Sequence, residues 1–187
     1  KEDLIDVIRR METLQPDRAG LFDNVTGLLN HRYFINRLSH EVNRSHRYDR
    51  DLSISLIDVD HFGHYNEVNG YLLGDTVLKD IARLLHKNLR KADVAMRYTG
   101  GKFAIIFPET GKDAAKAVAD KLCSLIEGYP FPRRGSQPLE RVTVSISLAT
   151  YPADGIGTAE LIERLENTLE KSIKMGGNRV MDVGETV

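Results

Sequence analysis

The sequence has little of what secreted or membrane-spanning proteins need. Among its 187 residues Cys123 is the only cysteine, so no internal disulfide can form, and a lone thiol fits a reducing compartment. No apolar run approaches the roughly 18 residues of a membrane-spanning helix, and no secretory signal pattern is present. We therefore expect a cytoplasmic chain with no membrane segment in this fragment. Because it begins at Lys1 and not at a methionine, we interpret it as part of a longer protein.

The sequence also lacks an excess of either charge. The 26 lysines and arginines nearly match the 27 aspartates and glutamates, which leaves a net charge of −1. A chain with this balance has no general attraction to nucleic acid or to an anionic membrane, so any nucleotide site must be local. The six histidines show no zinc-ligand spacing with cysteine.

The alternation of helical and strand patterns predicts an α/β fold, an α+β sandwich with a mixed sheet flanked by helices. We assign residues 1–20 to an N-terminal signalling or linker helix, 21–183 to one domain and 184–187 to a tail. The predicted helices cover residues 1–14, 32–47, 76–89, 112–127 and 158–174, and a further helix follows residue 62. The predicted strands cover residues 52–59, 96–98, 103–107, 142–149 and 180–181.

A β-hairpin is predicted between residues 93 and 108, with its turn at Gly100-Gly101. Glycine pairs suit two-residue hairpin turns because these turns require positive φ. The tip runs from Thr99 to Lys102 and contains no carboxylate, thiol or histidine. A hairpin tip is a favourable place for chemistry, yet this one carries no group that would perform it.

Asp58 and Asp60, at the end of the predicted strand 52–59, form the first candidate site. A carboxylate at the end of a buried strand can hold Mg²⁺ beside a phosphate. Alternatively, Asp60 caps the following helix and Asp58 is solvated. Magnesium would also need a second carboxylate or a substrate phosphate, and the hairpin tip offers no carboxylate.

Arg90 and Asp93 form the second candidate site. At positions i and i+3 they would be neighbours on a helical turn. Arginine can bind a phosphate or a guanine edge, and aspartate can accept hydrogen bonds from guanine N–H groups. The alternative is a surface ion pair worth about 0–1 kcal/mol, which the motif alone favours.

Asn66 and Asp75 form the third candidate site. An amide and a carboxylate together can read the Watson–Crick edge of guanine. The alternative is turn and cap chemistry, with Asp75 as the N-cap of the helix predicted at residues 76–89.

Taken together, these stretches resemble the GGDEF domains of bacterial diguanylate cyclases, in order over residues 21–183. Asp23-Asn-Val-Thr-Gly-Leu-Leu-Asn-His-Arg32 is similar to the opening D-x-L-T-G-L-x-N-R. Asp58-Val-Asp-His-Phe-Gly-His-Tyr-Asn-Glu-Val-Asn-Gly-Tyr-Leu-Leu-Gly-Asp75 is similar to D-x-D-x-F-K-x-x-N-D-x-x-G-H-x-x-G-D. Arg97-Tyr-Thr-Gly-Gly-Lys-Phe103 lies where the family has R-Y-G-G-D/E-E-F, and residues 142–155 resemble V-T-x-S-I-G-x-A…P-x-D-G.

The resemblance implies a nucleotidyl-cyclase-like fold with a central, mostly antiparallel five-stranded sheet flanked by helices. In that family two domains meet face to face, each with one GTP and two metal ions, and make cyclic di-GMP. Asp58 matches the first metal-binding aspartate, and Val59 matches the residue whose carbonyl also reaches the metal. Asn66 and Asp75 match the residues that read guanine.

Several positions depart from the family pattern. The acid of the signature falls on Gly101 and the next glutamate on Lys102, while the phosphate-binding basic positions fall on Gly63, Ile173 and Gly177. Losing one such electrostatic group costs roughly 3–4 kcal/mol of transition-state stabilisation. We therefore expect no catalytic residues and no cofactor, with Mg²⁺ present only if residual GTP binding occurs.

Two substitutes for the lost groups are conceivable. Lys174 and Arg179 lie one or two positions from the lost basic residues, although the register argues against them. A movement of Asp60 would supply a second metal ligand.

In the same resemblance, Arg90 and Asp93 occupy the inhibitory site that binds an intercalated cyclic di-GMP dimer, and Lys121 matches an assisting basic residue. We predict an inactive GGDEF domain that binds cyclic di-GMP there and signals to a neighbouring sensor or output domain. A homodimer through the N-terminal helix is a further expectation. Two alternatives stay open: a weakly or fully active cyclase that converts two GTP, or a non-catalytic dimerisation or GTP-binding module.

Overall fold

A five-stranded sheet lies at the centre of the computed structural model, which describes residues 20–185. The strands are β1 (Leu52–Val59), β2 (Val94–Thr99), β3 (Lys102–Pro108), β4 (Val144–Tyr151) and β5 (Arg179–Asp182). The helices are α1 (His31–Tyr48), α2 (Phe62–Asn69), α3 (Tyr71–Asn88), α4 (Lys112–Gly128) and α5 (Thr158–Lys174). The strand order is β2-β3-β1-β4-β5, and every pair is antiparallel except β4–β5. This architecture confirms the predicted fold class.

Helices cover both faces of the sheet because the central strands are apolar on both sides. In β1, Ile57 and Val59 face the core under α3 and α4, whereas Ile54 and Leu56 face the core under α1 and α5. Cys123 lies in the first of these cores, and burial raises the pKa of its thiol to about 11. Within residues 20–185, no helix has the length and hydrophobicity required to cross a bilayer.

The predicted bounds of β1 and α5 are confirmed to the residue, and the hairpin strands are longer than predicted. The predicted start of the long helix at residue 76 is wrong, because α3 begins at Tyr71. The break before it lies at Gly70, whose φ is 84°. Asp75 is therefore inside α3 and is not its N-cap. The helix predicted at residues 1–14 lies outside the described residues.

Gly74, just before the predicted N-cap Asp75, is the residue that suggested a helix start at residue 76. A Cβ atom at this position would lie 1.9 Å from Oδ1 of Asn66, so only glycine lets α2 and α3 approach here. The glycine therefore marks a close contact between two helices, and the helix continues through it.

The segment before α1 lies along β2. Leu29 forms a parallel bridge with Met96, and the backbone N–H of Arg97 donates to the carbonyl of Leu29 at 2.7 Å. Within this segment, the carboxylate of Asp23 accepts hydrogen bonds from the backbone N–H and the hydroxyl of Thr26, both at 2.7 Å. These contacts place Asp23 on the side of β2 that carries Arg97.

Candidate functional site

The hairpin tip has the predicted two-residue turn, and it is held against the end of β1. Thr99 pairs with Lys102 across Gly100 and Gly101, and the φ of Gly100 is 53°. The carbonyl of Gly101 accepts a hydrogen bond from the N–H of Val59 at 3.2 Å. The tip is therefore fixed beside the residues that the sequence suggested as metal ligands.

Asp58 faces a lysine at this point. Asp58 and Lys102 are paired across β1 and β3, and Lys102 Nζ lies 4.0 Å from Asp58 Oδ2. The Asp58 side chain is 19% exposed. Burial raises the pKa of Asp58, Lys102 opposes that rise, and the nearby charge of Asp60 adds to it. A divalent cation at Asp58 would meet an ammonium group where a second carboxylate is needed.

Asp60 serves as a structural anchor. Its carboxylate is buried and accepts hydrogen bonds from Thr143 Oγ1 at 2.7 Å, Ser145 Oγ at 2.7 Å and the N–H of Asn178 at 2.9 Å. A Cβ atom at Gly177 would lie 2.8 Å from this carboxylate. The prediction that Asp60 caps the next helix is wrong, since α2 begins after His61 with no side-chain cap. These three hydrogen bonds engage both carboxylate oxygens, so Asp60 would have to give them up to bind a metal ion.

The basic residues near the lost phosphate positions have other partners. Lys174 forms an ion pair with Glu170 at 2.6 Å. Arg179 donates to the backbone carbonyls of Met175 at 2.9 Å and Gly177 at 3.1 Å, where it closes the end of α5. These contacts occupy both residues, and the register of the sequence places neither of them at a lost basic position.

Phe62 fills the space beside the missing acid. A Cβ atom at Gly101 would lie 3.1 Å from Phe62 Cδ1 and 3.2 Å from its Cβ. Such a separation is tighter than ordinary side-chain contacts, so the ring would have to shift by a few tenths of an ångström to admit a larger residue. No pattern in the sequence indicated this contact.

The two positions matched to guanine recognition adjoin the same spot. Asn66 lies on α2 against Gly74, the residue that precedes Asp75 on α3. Asn66 Oδ1 is buried and has no hydrogen-bond partner within residues 20–185.

Arg97 is a site residue that the sequence reasoning did not single out. Burial lowers the pKa of its guanidinium, and the charges of Asp23, Asp75 and Asp58 oppose that change. Its guanidinium also lies 5.0 Å from the centre of the Phe103 ring and donates to the carbonyl of Gly100. The negative charges of three segments thus act on one arginine. A charged residue within the apolar run of β2 was the signal for it.

The Arg90 and Asp93 pair lies at the other end of β2. The prediction that they are neighbours on a helical turn is wrong, because α3 ends at Asn88 and a separate turn follows. Asp93 Oδ2 accepts a hydrogen bond from the backbone N–H of Arg90 at 2.9 Å, and Asp93 N–H donates to the carbonyl of Arg90 at 3.0 Å. Burial raises the pKa of Asp93, and the N–H and charge of Arg90 oppose that rise. Arg90 is exposed, and Lys121 is exposed on α4, which packs against α3.

The side chains at the tip do not fit a metal centre of two divalent ions. In the described part of the chain, no group of three or more histidine, cysteine, aspartate or glutamate residues is arranged to hold a metal ion. Of the carboxylates matched to metal binding, Asp58 alone remains, and Lys102 lies beside it. Magnesium requires oxygen ligands with near-octahedral geometry, which this set does not supply.

Comparison with known proteins gives a consistent result. The family model described as "Diguanylate cyclase, GGDEF domain" matches residues 21–179. Diguanylate cyclase DgcP of Pseudomonas aeruginosa is 36% identical over 163 residues, which are 87% of this chain and 24% of DgcP. Response regulator PleD of Caulobacter vibrioides is 31% identical over 159 residues, which are 85% of this chain and 35% of PleD. The chain thus spans about a quarter to a third of these two relatives.

A solved structure gives the same fold. The crystal structure of the coiled coil and GGDEF domain of DgcB from Caulobacter crescentus, in complex with c-di-GMP, is 26% identical. It matches with a TM-score of 0.81 and covers 94% of this chain and 93% of that chain. The predicted nucleotidyl-cyclase-like sheet is therefore confirmed.

Proposed function

The chain belongs to the GGDEF domain family of diguanylate cyclases, and we propose that it is a receptor for cyclic di-GMP that no longer makes it. The ligand binds at the turn of Arg90 and Asp93, with Lys121 assisting. The observation that carries this proposal is a contrast between two places. At the turn, the Asp93 carboxylate is held by the N–H of Arg90, whereas the hairpin tip has no acid.

The case against catalysis rests on charge at the tip. Cyclic di-GMP formation requires an oxygen nucleophile to attack the α-phosphate of GTP while pyrophosphate leaves, and divalent ions align and neutralise these groups. Here Asp58 faces Lys102, and Asp60 is committed to three hydrogen bonds. A missing carboxylate alone removes roughly 3–4 kcal/mol, or about 10²–10³ in rate.

The case for the receptor rests on the chemistry of the ligand. Cyclic di-GMP presents guanine edges and phosphates together, and arginine binds either group through two parallel hydrogen bonds. Aspartate accepts from guanine N–H groups. Because Asp93 is already held by the backbone N–H of Arg90, little ordering of this carboxylate is needed on binding. The crystallised complex of DgcB with c-di-GMP shows that a similar domain binds this ligand.

Calorimetric titration with cyclic di-GMP tests the receptor. We expect Arg90→Ala to weaken binding about 30-fold or more, because a charge-assisted contact is lost. The matched control is Lys91→Ala, which removes an exposed cation one residue away and should change the affinity by less than about twofold. Lys121→Ala should have an intermediate effect. Absence of binding by the unmodified protein, or equal binding by Arg90→Ala, would contradict the proposal.

Incubation with GTP and Mg²⁺, followed by product chromatography, tests the loss of catalysis. We expect no cyclic di-GMP above background. Product that disappears in Asp58→Ala would instead identify the chain as an active cyclase. Pairing with an active relative in the same assay separates a contribution in trans from intrinsic turnover.

A further inference from the structure

We propose that a cavity between the α2–α3 turn and the loop that joins α4 to β4 binds an organic anion, a phosphate or carboxylate group carried on an apolar body. The cavity has a volume of about 610 Å³, and small-molecule sites typically have volumes of about 300–1,000 Å³. Residues of α2, α3 and the loop line it: Val68, Asn69, Leu73, Arg133, Gly135 and Ser136.

The wall that the loop forms is fixed to α2 by hydrogen bonds. Tyr65 Oη donates to the carbonyl of Pro132 at 2.5 Å, and Asn69 Nδ2 donates to Ser136 Oγ at 2.7 Å. Nε2 of His64 lies 3.2 Å from the carbonyl oxygen of Ser136. Because the loop is held at these three points, the cavity is formed before a ligand arrives, and binding requires little ordering of the loop.

The polar lining of the cavity offers a positive charge and a hydroxyl donor. Arg133 is exposed, and its guanidinium has no ion pair or hydrogen bond within residues 20–185. Ser136 Oγ accepts a hydrogen bond from Asn69, so its own O–H remains available as a donor. None of the described lining residues is an aspartate or a glutamate. Guanidinium and hydroxyl groups donate to phosphate and carboxylate oxygens, so this lining selects an anion.

The rest of the lining is apolar and continues onto an exposed surface. Val68 and Leu73 line the cavity, and Val68 is 56% exposed. Tyr71 and Leu72, which precede Leu73 in the first turn of α3, are 79% and 86% exposed. Clustered apolar side chains that stay exposed beside a cavity indicate a binding surface. The ligand therefore carries an apolar body next to its anionic group, since contact with these side chains removes that body from water.

This cavity is separate from the two places compared above. Neither Asn66 nor Asp75 lines it, and no residue of the hairpin tip does so. Leu73 is separated from the C-terminal end of α3 by roughly 22 Å of helix, and Arg90 lies beyond that end. Binding in the cavity thus stands or falls independently of the cyclic di-GMP receptor.

Calorimetric titration with three probes tests the class of ligand. Octyl phosphate, used below its micelle concentration, carries the anion and the apolar body, whereas inorganic phosphate carries the anion alone. Octyltrimethylammonium has the same alkyl chain with the opposite charge. We expect octyl phosphate to bind at least about tenfold more tightly than either of the others, because only this probe engages both parts of the lining. Equal binding of octyl phosphate and either other probe, or no binding of octyl phosphate, would overturn the proposal.

Substitutions in the lining locate the ligand. Arg133→Ala should weaken octyl phosphate binding about tenfold or more, because a charge-assisted contact is lost. The matched control is Arg134→Ala, which removes the adjacent exposed arginine outside the lining and should change the affinity by less than about twofold. Val68→Ser should weaken octyl phosphate about threefold or more and leave inorganic phosphate unchanged. Unchanged binding by Arg133→Ala, or equal losses in the two arginine variants, would refute the site.

Two further controls separate loss of the site from other effects. Circular dichroism and thermal melting confirm that each variant keeps its fold. Arg133→Ala should bind cyclic di-GMP normally, and Arg90→Ala should bind octyl phosphate normally. If both ligands are lost together in either variant, the cavity is not a separate site.

An anionic group on an apolar body occurs both in free amphiphiles and in lipid headgroups, and sedimentation with vesicles distinguishes these sources. Vesicles of equal parts phosphatidylglycerol and phosphatidylcholine are compared with vesicles of phosphatidylcholine alone. Retention on the first only, lost in Arg133→Ala, assigns the site to a lipid headgroup. Octyl phosphate binding without retention assigns it to a free amphiphile. If neither octyl phosphate nor the anionic vesicles bind, the proposal fails.

Discussion

Two carboxylates, one near each end of β2, lie in contrasting environments. At the end near α3, Asp93 accepts a hydrogen bond from the N–H of Arg90 and so helps to form its own turn. At the hairpin end, Asp58 of β1 faces Lys102 of β3 across 4.0 Å, and burial raises the Asp58 pKa. The first carboxylate is positioned by local folding before any ligand arrives. The second carboxylate, Asp58, is held in a place where burial disfavours its charged form.

The turn of Arg90 and Asp93 is therefore arranged to accept a ligand, whereas the hairpin tip keeps only one carboxylate of the family's metal site. The turn of Arg90 and Asp93 is built from adjacent residues, so changes elsewhere leave it intact. The hairpin tip combines side chains from β1, β3 and α2, so a substitution in any of these elements alters it. Four predictions would break or sharpen the contrast, and they are given in order of decreasing effect.

The largest effect is expected within the tip region, at Asp60. Replacing it with alanine leaves two hydroxyl groups and the N–H of Asn178 unpaired in a buried place, so we expect a loss of about 3–5 kcal/mol in the free energy of unfolding. Urea denaturation measures it. Asp58→Ala is the control and should change stability by about 1 kcal/mol or less. Equal losses would mean that both carboxylates are structural.

The second effect concerns the other end of β2. Asp93→Ala removes a guanine acceptor and the hydrogen bond to the N–H of Arg90, so cyclic di-GMP affinity should fall about 10–100-fold. Calorimetry measures it, with Asp58→Asn as the control at about wild-type affinity because the sites do not share side chains. Normal affinity in Asp93→Ala would remove the distinction between the two ends.

The third effect tests whether the tip can be restored. We expect Gly101→Asp with Lys102→Glu to lose about 1–3 kcal/mol of stability, because a side chain at residue 101 meets the Phe62 ring. Chromatography after incubation with GTP and Mg²⁺ should still show no product. Adding Phe62→Leu should recover part of the stability. If the double variant is as stable as the unmodified protein, the ring is not the obstacle.

The smallest effect is a pH dependence at Asp58. Its folded pKa lies above the ordinary value of 3.8, so the folded state holds this proton more tightly and stability falls as the pH rises from about 3.8 through the folded pKa. Asp58→Asn should abolish this fall and gain about 1 kcal/mol or less at pH 7, with no gain below pH 3.8. Glu163→Gln, an exposed carboxylate on α5, is the control. A gain that does not vary with pH would exclude this cause.

The parts of the fold that the sequence predicted well are those set by local pattern. The bounds of β1 follow from a continuous buried run, and the hairpin turn follows from Gly100 and Gly101. The predicted start of α3 was wrong because a glycine at residue 74 suggested a helix break. In the structure Gly74 lies inside the helix, and its lack of a side chain leaves room for Asn66 on α2. A glycine that serves packing and one that serves a turn look alike in a sequence.

The parts of the site that could not be predicted depend on distant residues. The partners of Asp60 are 83, 85 and 118 positions away along the chain, so its anchoring role has no local signature. The contact of Gly101 with Phe62 joins two segments in the same way. In contrast, the lack of an acid at the hairpin tip was evident from the sequence, because the tip consists of four consecutive residues.

The contact of Leu29 with Met96 has a consequence for how the molecule behaves in a crowded solution. It covers the outer edge of β2, whose backbone groups would otherwise be open to another strand. The opposite edge of the sheet is β5, a strand of four residues that begins with Arg179 and ends with Asp182. Short, charged edges are poor templates for strand addition, so the sheet resists joining to other sheets and aggregating.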